Sequence, residues 1–168
     1  MIKFVWLVVW LGGLGIIFYY WTPGFSSHSI WLSLGRLAAL LGVYQILWQL
    51  LLIGRVRWLE KHIGLDRLSR IHHWNGYAAF TLILFHATVM LFVYGIAILK
   101  TDEVFKALLA LLLLIGIIFI SVSIVKLKLK YETWYFVHLF TYLAILLAFA
   151  HQLNLGGDLI NPNFAHIW

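Results

Sequence analysis

The sequence predicts an all-α integral membrane protein, a helical bundle of five complete transmembrane helices with the start of a sixth. Three observations carry this. Of 168 residues, 64% are hydrophobic and 11% charged, with a mean hydropathy of +0.97, whereas soluble domains carry roughly 25% charged residues. Five apolar segments are each long enough to cross about 30 Å of hydrocarbon. The Lys and Arg residues collect mainly in two of the links between those segments. Residues 1–168 read as one domain.

The first segment, Phe4–Trp21, runs on without a small-residue cleavage pattern and reads as a retained helix. Its glycines at 12, 13 and 15 suit close helix packing, within a chain or between chains. The link Thr22–Ser29 has no Lys or Arg. The second segment, Ile30–Ile53, contains one charge, Arg36. Arg55, Arg57, Lys61, Arg67 and Arg70 then lead to the third, Trp74–Leu99. Lys100, beside Asp102 and Glu103, precedes the fourth, Val104–Val125. Lys126, Lys128 and Lys130 lead to the fifth, Trp134–Leu153. The tail Asn154–Trp168, with Gly156, Gly157, Asp158 and Pro162, reads as a loop whose last residues, Phe164–Trp168, begin the sixth helix.

The positive-inside rule makes the two basic links cytoplasmic. The N-terminus is then inside and Trp168 outside. The net charge of +6 therefore reports orientation in the membrane and implies no nucleic-acid partner. The chain has no cysteine. That excludes disulfides, thiolate zinc sites, cysteine-ligated iron–sulfur clusters and covalently attached c-type haem.

The candidate functional residues are four histidines on two of the segments. His72 and His86 are 14 residues apart, about 21 Å along a helix axis and about 40° apart around it. Gly76, Ala79 and Ile83 lie between them on that face, and the small residues would let a porphyrin approach the backbone. His138 and His151 are 13 apart, which leaves them about 140° out of register on a straight helix. A single histidine in a span can simply hydrogen-bond a neighbour. Four at two matched depths, on helices of the same direction, point instead to two stacked haems with bis-histidine ligation. A compact metal site would need its histidines close together. His72 and His138 fall near the inner face, His86 and His151 nearer the outer. His73 competes with His72, because spacing alone does not reject it. His28, His62 and His166 read as surface histidines.

The run Arg55-x-Arg57-x-Leu59-Glu60, Gly64-Leu65-Asp66-Arg67-Leu68, Arg70-x-His72-His73-Trp74-x-Gly76 and His86, followed by Tyr131-Glu132-x-Trp134, His138 and His151, resembles the ferric reductase-like transmembrane domain. That family includes ferric reductases and NADPH oxidases, and the resemblance, to a bacterial-type member, spans about Arg36 to His151. It implies that His72 and His138 bind an inner b-type haem and His86 and His151 an outer one. The family's usual basic residue after the first ligand falls on His73, which favours His72. Arg36 either snorkels to the outer surface or contacts the outer haem's propionates or an acceptor; a similarly placed arginine in the oxidases favours contact. Arg70 is a candidate partner for inner-haem propionates, although a role in setting topology explains it equally well.

The resemblance implies an oxidoreductase component in the bacterial plasma membrane. It would pass electrons from a cytoplasmic FAD- and NAD(P)H-dependent dehydrogenase through the haems to ferric iron or oxygen outside. The oxidases carry a further histidine one turn before the outer ligand, where this chain has Leu82, which weighs against dedicated superoxide production. No G-x-G-x-x-G fingerprint appears, so the flavin module belongs to a longer chain or to a partner subunit. Alternative readings are a stand-alone haem subunit serving a periplasmic methionine-sulfoxide reductase, a quinone-linked di-haem cytochrome, or a transporter with structural histidines. Phe80, Phe140 and Tyr142 lie between the two haem levels and read as ordinary core aromatics.

Overall fold

The computed structural model describes residues 2–25, 29–123, 128 and 130–155. Every regular element among them is helical: α1 (Ile2–Phe25), α2 (Ile30–Ile53), α3 (Arg57–Ile63), α4 (Leu65–Tyr94), a 3-10 turn (Ile96–Lys100), α5 (Asp102–Ser123) and α6 (Tyr131–Leu155). Four of these, α2, α4, α5 and α6, contain stretches long and apolar enough to cross a membrane. In α1 the described apolar stretch is Leu7–Tyr19. The elements form two compact units, Met1–Gly95 and Ile96–Trp168.

In the first unit, α2 starts at Ser29, whose hydroxyl accepts from the Leu32 amide at 3.3 Å and satisfies one of the free N–H groups of the first turn. Packing on α4 then follows a seven-residue repeat. Gly35 meets Val89 and Met90, Gly42 meets Ile83, and Gln49 meets Gly76. The helices are thus antiparallel with small residues at the seam, and a seven-residue period belongs to left-handed packing. Bilayer helices gain little from burying apolar area against one another, so close backbone approach supplies the attraction.

The basic link is not a plain loop. It contains the short helix α3, and Arg67 and Arg70 lie inside α4, which begins well before the expected Trp74. Leu59 and Leu68 are each only 1% exposed and join Leu52 in one cluster, so these two leucines of the basic motif are anchors. Glu60 pairs with Arg55 at 3.7 Å. Gly64 (φ 85°, ψ 141°) separates α3 from α4 in a backbone region open essentially to glycine alone. Gly95 (φ 71°, ψ 178°) ends α4 at Tyr94. The third span therefore stops short of the expected Leu99, because the chain turns at a residue that can hold positive φ.

Helix α1 is tied to α2 by two hydrogen bonds. Trp21 Nε1 donates to the Ser33 carbonyl at 2.7 Å, and the Tyr44 hydroxyl donates to the Trp10 carbonyl at 2.8 Å. The Tyr44 ring crosses directly over Gly13, leaving no space for a Cβ there. Tyr44→Phe removes the second bond while keeping the ring. It is expected to cost about 0.6 kcal/mol, the average for side-chain hydrogen bonds within membranes, read as a small fall in the detergent melting temperature.

In the second unit α5 presents Ala110, Leu114 and Ile117 as its buried stripe, and α6 buries Ala144 completely. The last turn of α5 meets the start of α6, and the first turn of α5 meets the end of α6. The pair is antiparallel. Helix α6 runs unbroken through Asn154 to Leu155, so the expected tail loop starts later than Asn154. The expected sixth helix at 164–168 lies outside the described residues.

Candidate histidine sites in the membrane helices

The four histidines divide between the two units, His72 and His86 on α4, His138 and His151 on α6. All four are half-buried. Among the described residues no three His, Cys, Asp or Glu side chains gather as a compact metal site.

His86 is held across the α2–α4 seam. Its Nδ1 lies 2.9 Å from the carbonyl oxygen of Gly35. A carbonyl only accepts, so in the neutral ring the proton sits on Nδ1 and the lone pair on Nε2. Gly35 is buried, and its missing side chain lets α2 come close enough for its backbone to reach the ring. This is the usual outer contact of a metal-binding imidazole.

His138 has a different setting. Its Nδ1 lies 3.3 Å from Ser121 Oγ on α5. The Trp134 indole donates to the same Oγ at 3.3 Å and stacks on the imidazole, with centroids 5.3 Å apart and planes at 27°. His72 Nδ1 and His151 Nδ1 are buried. Glu103, at the start of α5, neighbours His151 and is paired with Lys106 at 2.9 Å.

The face of α4 between His72 and His86 packs on α2. Gly76 faces Gln49, Ile83 faces Gly42 and Ala79 is buried, so these small residues bring α2 close to α4. His73 is exposed and packs its edge on Tyr77, with centroids 4.8 Å apart. His62 is exposed beside Trp58, as a surface histidine should be; His28 and His166 lie outside the described residues. Arg36 is half-buried in the second turn of α2, next to Gly35, and Arg70 is exposed in the second turn of α4. Leu82 sits half-buried against Gly42. Phe140 and Tyr142 are exposed on α6, so they are not core aromatics of their unit, while Phe80 is half-buried.

A family model described as ferric reductase like transmembrane component matches residues 38–149 of the 168. The chain belongs to the ferric reductase-like transmembrane family. It is accordingly an integral membrane protein and an electron-transfer component of the oxidoreductase type. The match takes in His72, His86 and His138 and ends at Phe149, just before His151; Arg36 lies just ahead of it. No curated protein and no solved structure matches the chain.

The ferric reductase-like motifs acquire physical roles from this arrangement. Leu59 and Leu68 anchor the turn into α4, Gly64 makes that turn, and Trp134 braces His138. Two contacts were beyond sequence reasoning. Gly35 acts through its carbonyl, which no side-chain pattern reveals. Ser121 is signalled only as a hydroxyl near the end of an apolar span.

Proposed function

We propose that this chain carries electrons across the bacterial plasma membrane on two b-type haems. The donor is a cytoplasmic FAD- and NAD(P)H-dependent dehydrogenase domain or subunit, and the acceptor lies outside, with ferric iron or oxygen as candidates. The observation that carries this is His86, whose Nδ1 is engaged by the Gly35 carbonyl inside the span, which puts the ring proton on Nδ1 and makes Nε2 the ligand-type nitrogen. His138, with Nδ1 against Ser121, suits the same role.

On this reading His72 and His138 hold the inner haem and His86 and His151 the outer. Each haem, when bound, supplies a one-electron iron couple in an apolar shell. Held by an imidazole from each helix, a haem would pass electrons to an acceptor that need not bind the iron. Arg70, one turn or less from His72, offers a guanidinium to inner propionates, and Arg36 serves the outer haem or the acceptor. Helix α1 forms the fifth span with its N-terminus in the cytoplasm, which keeps the Arg- and Lys-rich α3 region and Lys128–Lys130 on the inner side.

A reduced-minus-oxidised spectrum of the purified protein, with haem counted per chain, tests the proposal. About two low-spin haems are expected from two bis-histidine sites. A protein purified without haem, and unable to take it up, sinks it.

A further inference from the structure

We infer that Ser121 is a positioning residue for His138, accepting the Nδ1 proton so that Nε2 is the ligating nitrogen. The inference rests on His138 being a haem ligand.

Ser121 occupies the last turn of α5 and faces two groups of α6. The Trp134 indole N–H donates and does nothing else, so it takes one lone pair of Oγ. The remaining lone pair is free to accept from His138 Nδ1 at 3.3 Å. The opposite arrangement, with the serine hydroxyl donating to Nδ1, places the ring proton on Nε2 and removes the ligand lone pair. Haem binding therefore selects the first arrangement; the Trp134 indole, which takes only one lone pair, is compatible with it and leaves the second lone pair for His138. The stacked indole also limits rotation of the imidazole plane. Two residues thus fix the ring, Ser121 at its edge and Trp134 on its face.

The consequence is electronic as well as geometric. Donation from Nδ1–H makes the imidazole a better base toward the metal and favours the ferric state. Ser121→Val removes the acceptor in a β-branched shape, and Ser121→Thr keeps the hydroxyl in the same shape. In the full chain, a redox titration followed by optical spectra should show one of the two haem couples raised in Ser121→Val. Each tenfold change in the ferric-to-ferrous ratio corresponds to about 59 mV for one electron, which sets the scale of the shift to be read. The couple that moves should be the one missing in His138→Leu, and Ser121→Thr should leave both near wild type.

Ser121→Ala adds no bulk beside His138 and is read in the same way if Ser121→Val does not fold. Two haems whose couples ignore the loss of the hydroxyl overturn the role of Ser121 and leave the di-haem reading standing. Equal shifts in Ser121→Thr and Ser121→Val overturn it too, by showing that shape alone matters. Absence of haem from the wild-type protein overturns both.

Discussion

His86→Leu is expected, on the proposed di-haem function, to lower the haem content from about two per chain to about one, because the outer haem would lose one of its two protein ligands. Leucine suits an apolar span, and the Gly35 carbonyl remains within helix α2, so the change removes the imidazole without dismantling the seam. His72 lies four turns away along α4, about 21 Å, and its site should be retained. The measurement is haem per chain by extraction, together with the reduced spectrum of what remains. Unchanged content would rule His86 out as a ligand. Loss of both haems would show that the two levels do not form independently.

The second large effect is expected at Gly35. A Cβ there would lie 2.5 Å from Met90 Cε and 2.9 Å from Val89 Cγ1. The methionine end can swing aside, but valine is stiff at χ1, so α2 and α4 must part. Gly35→Val should cost about 1–3 kcal/mol by overpacking. It should also draw the Gly35 carbonyl away from His86 Nδ1 and loosen the outer haem. Gly116 on α5 is the control, because nothing lies within 4 Å of a Cβ added there. Gly116→Ala should leave stability unchanged or raise it by up to about 1 kcal/mol. Thermal melts in detergent, with haem release followed in parallel, read both variants. A wild-type melt for Gly35→Val would refute the close approach on which this account of His86 depends.

These two sites differ in how far they could be read in advance. His86 stands out because an ionisable group in a span is costly and seldom idle. Gly35 does not, since the flanking Gly, Ala and Leu are ordinary for a membrane helix. Gly76, which meets Gln49, is hard to read for a related reason. A small residue announces that something comes close, and only packing says whether that is a cofactor or another helix. The ends of α4, Leu65 and Tyr94, both differ from those of the apolar segment Trp74–Leu99. Hydropathy marks where a segment is apolar, while the helix itself continues through the polar, basic turns before Trp74 until Gly64 and stops at Gly95. Hydrogen bonding and backbone dihedrals set those limits.

By itself the sequence determined the membrane environment, the spans from Ile30 onward, the family and the two helices that bear the histidines. The family follows from the resemblance of its motifs and the rest from composition, length and residue spacing, all of them properties of the chain in one dimension. Only the tertiary structure decided which atoms face those histidines: a backbone carbonyl for His86, a serine and an indole for His138. Such contacts join residues 51 and 17 positions apart. They depend on how closely two helices approach and in what register, which is set by interlocking side chains on both helices at once.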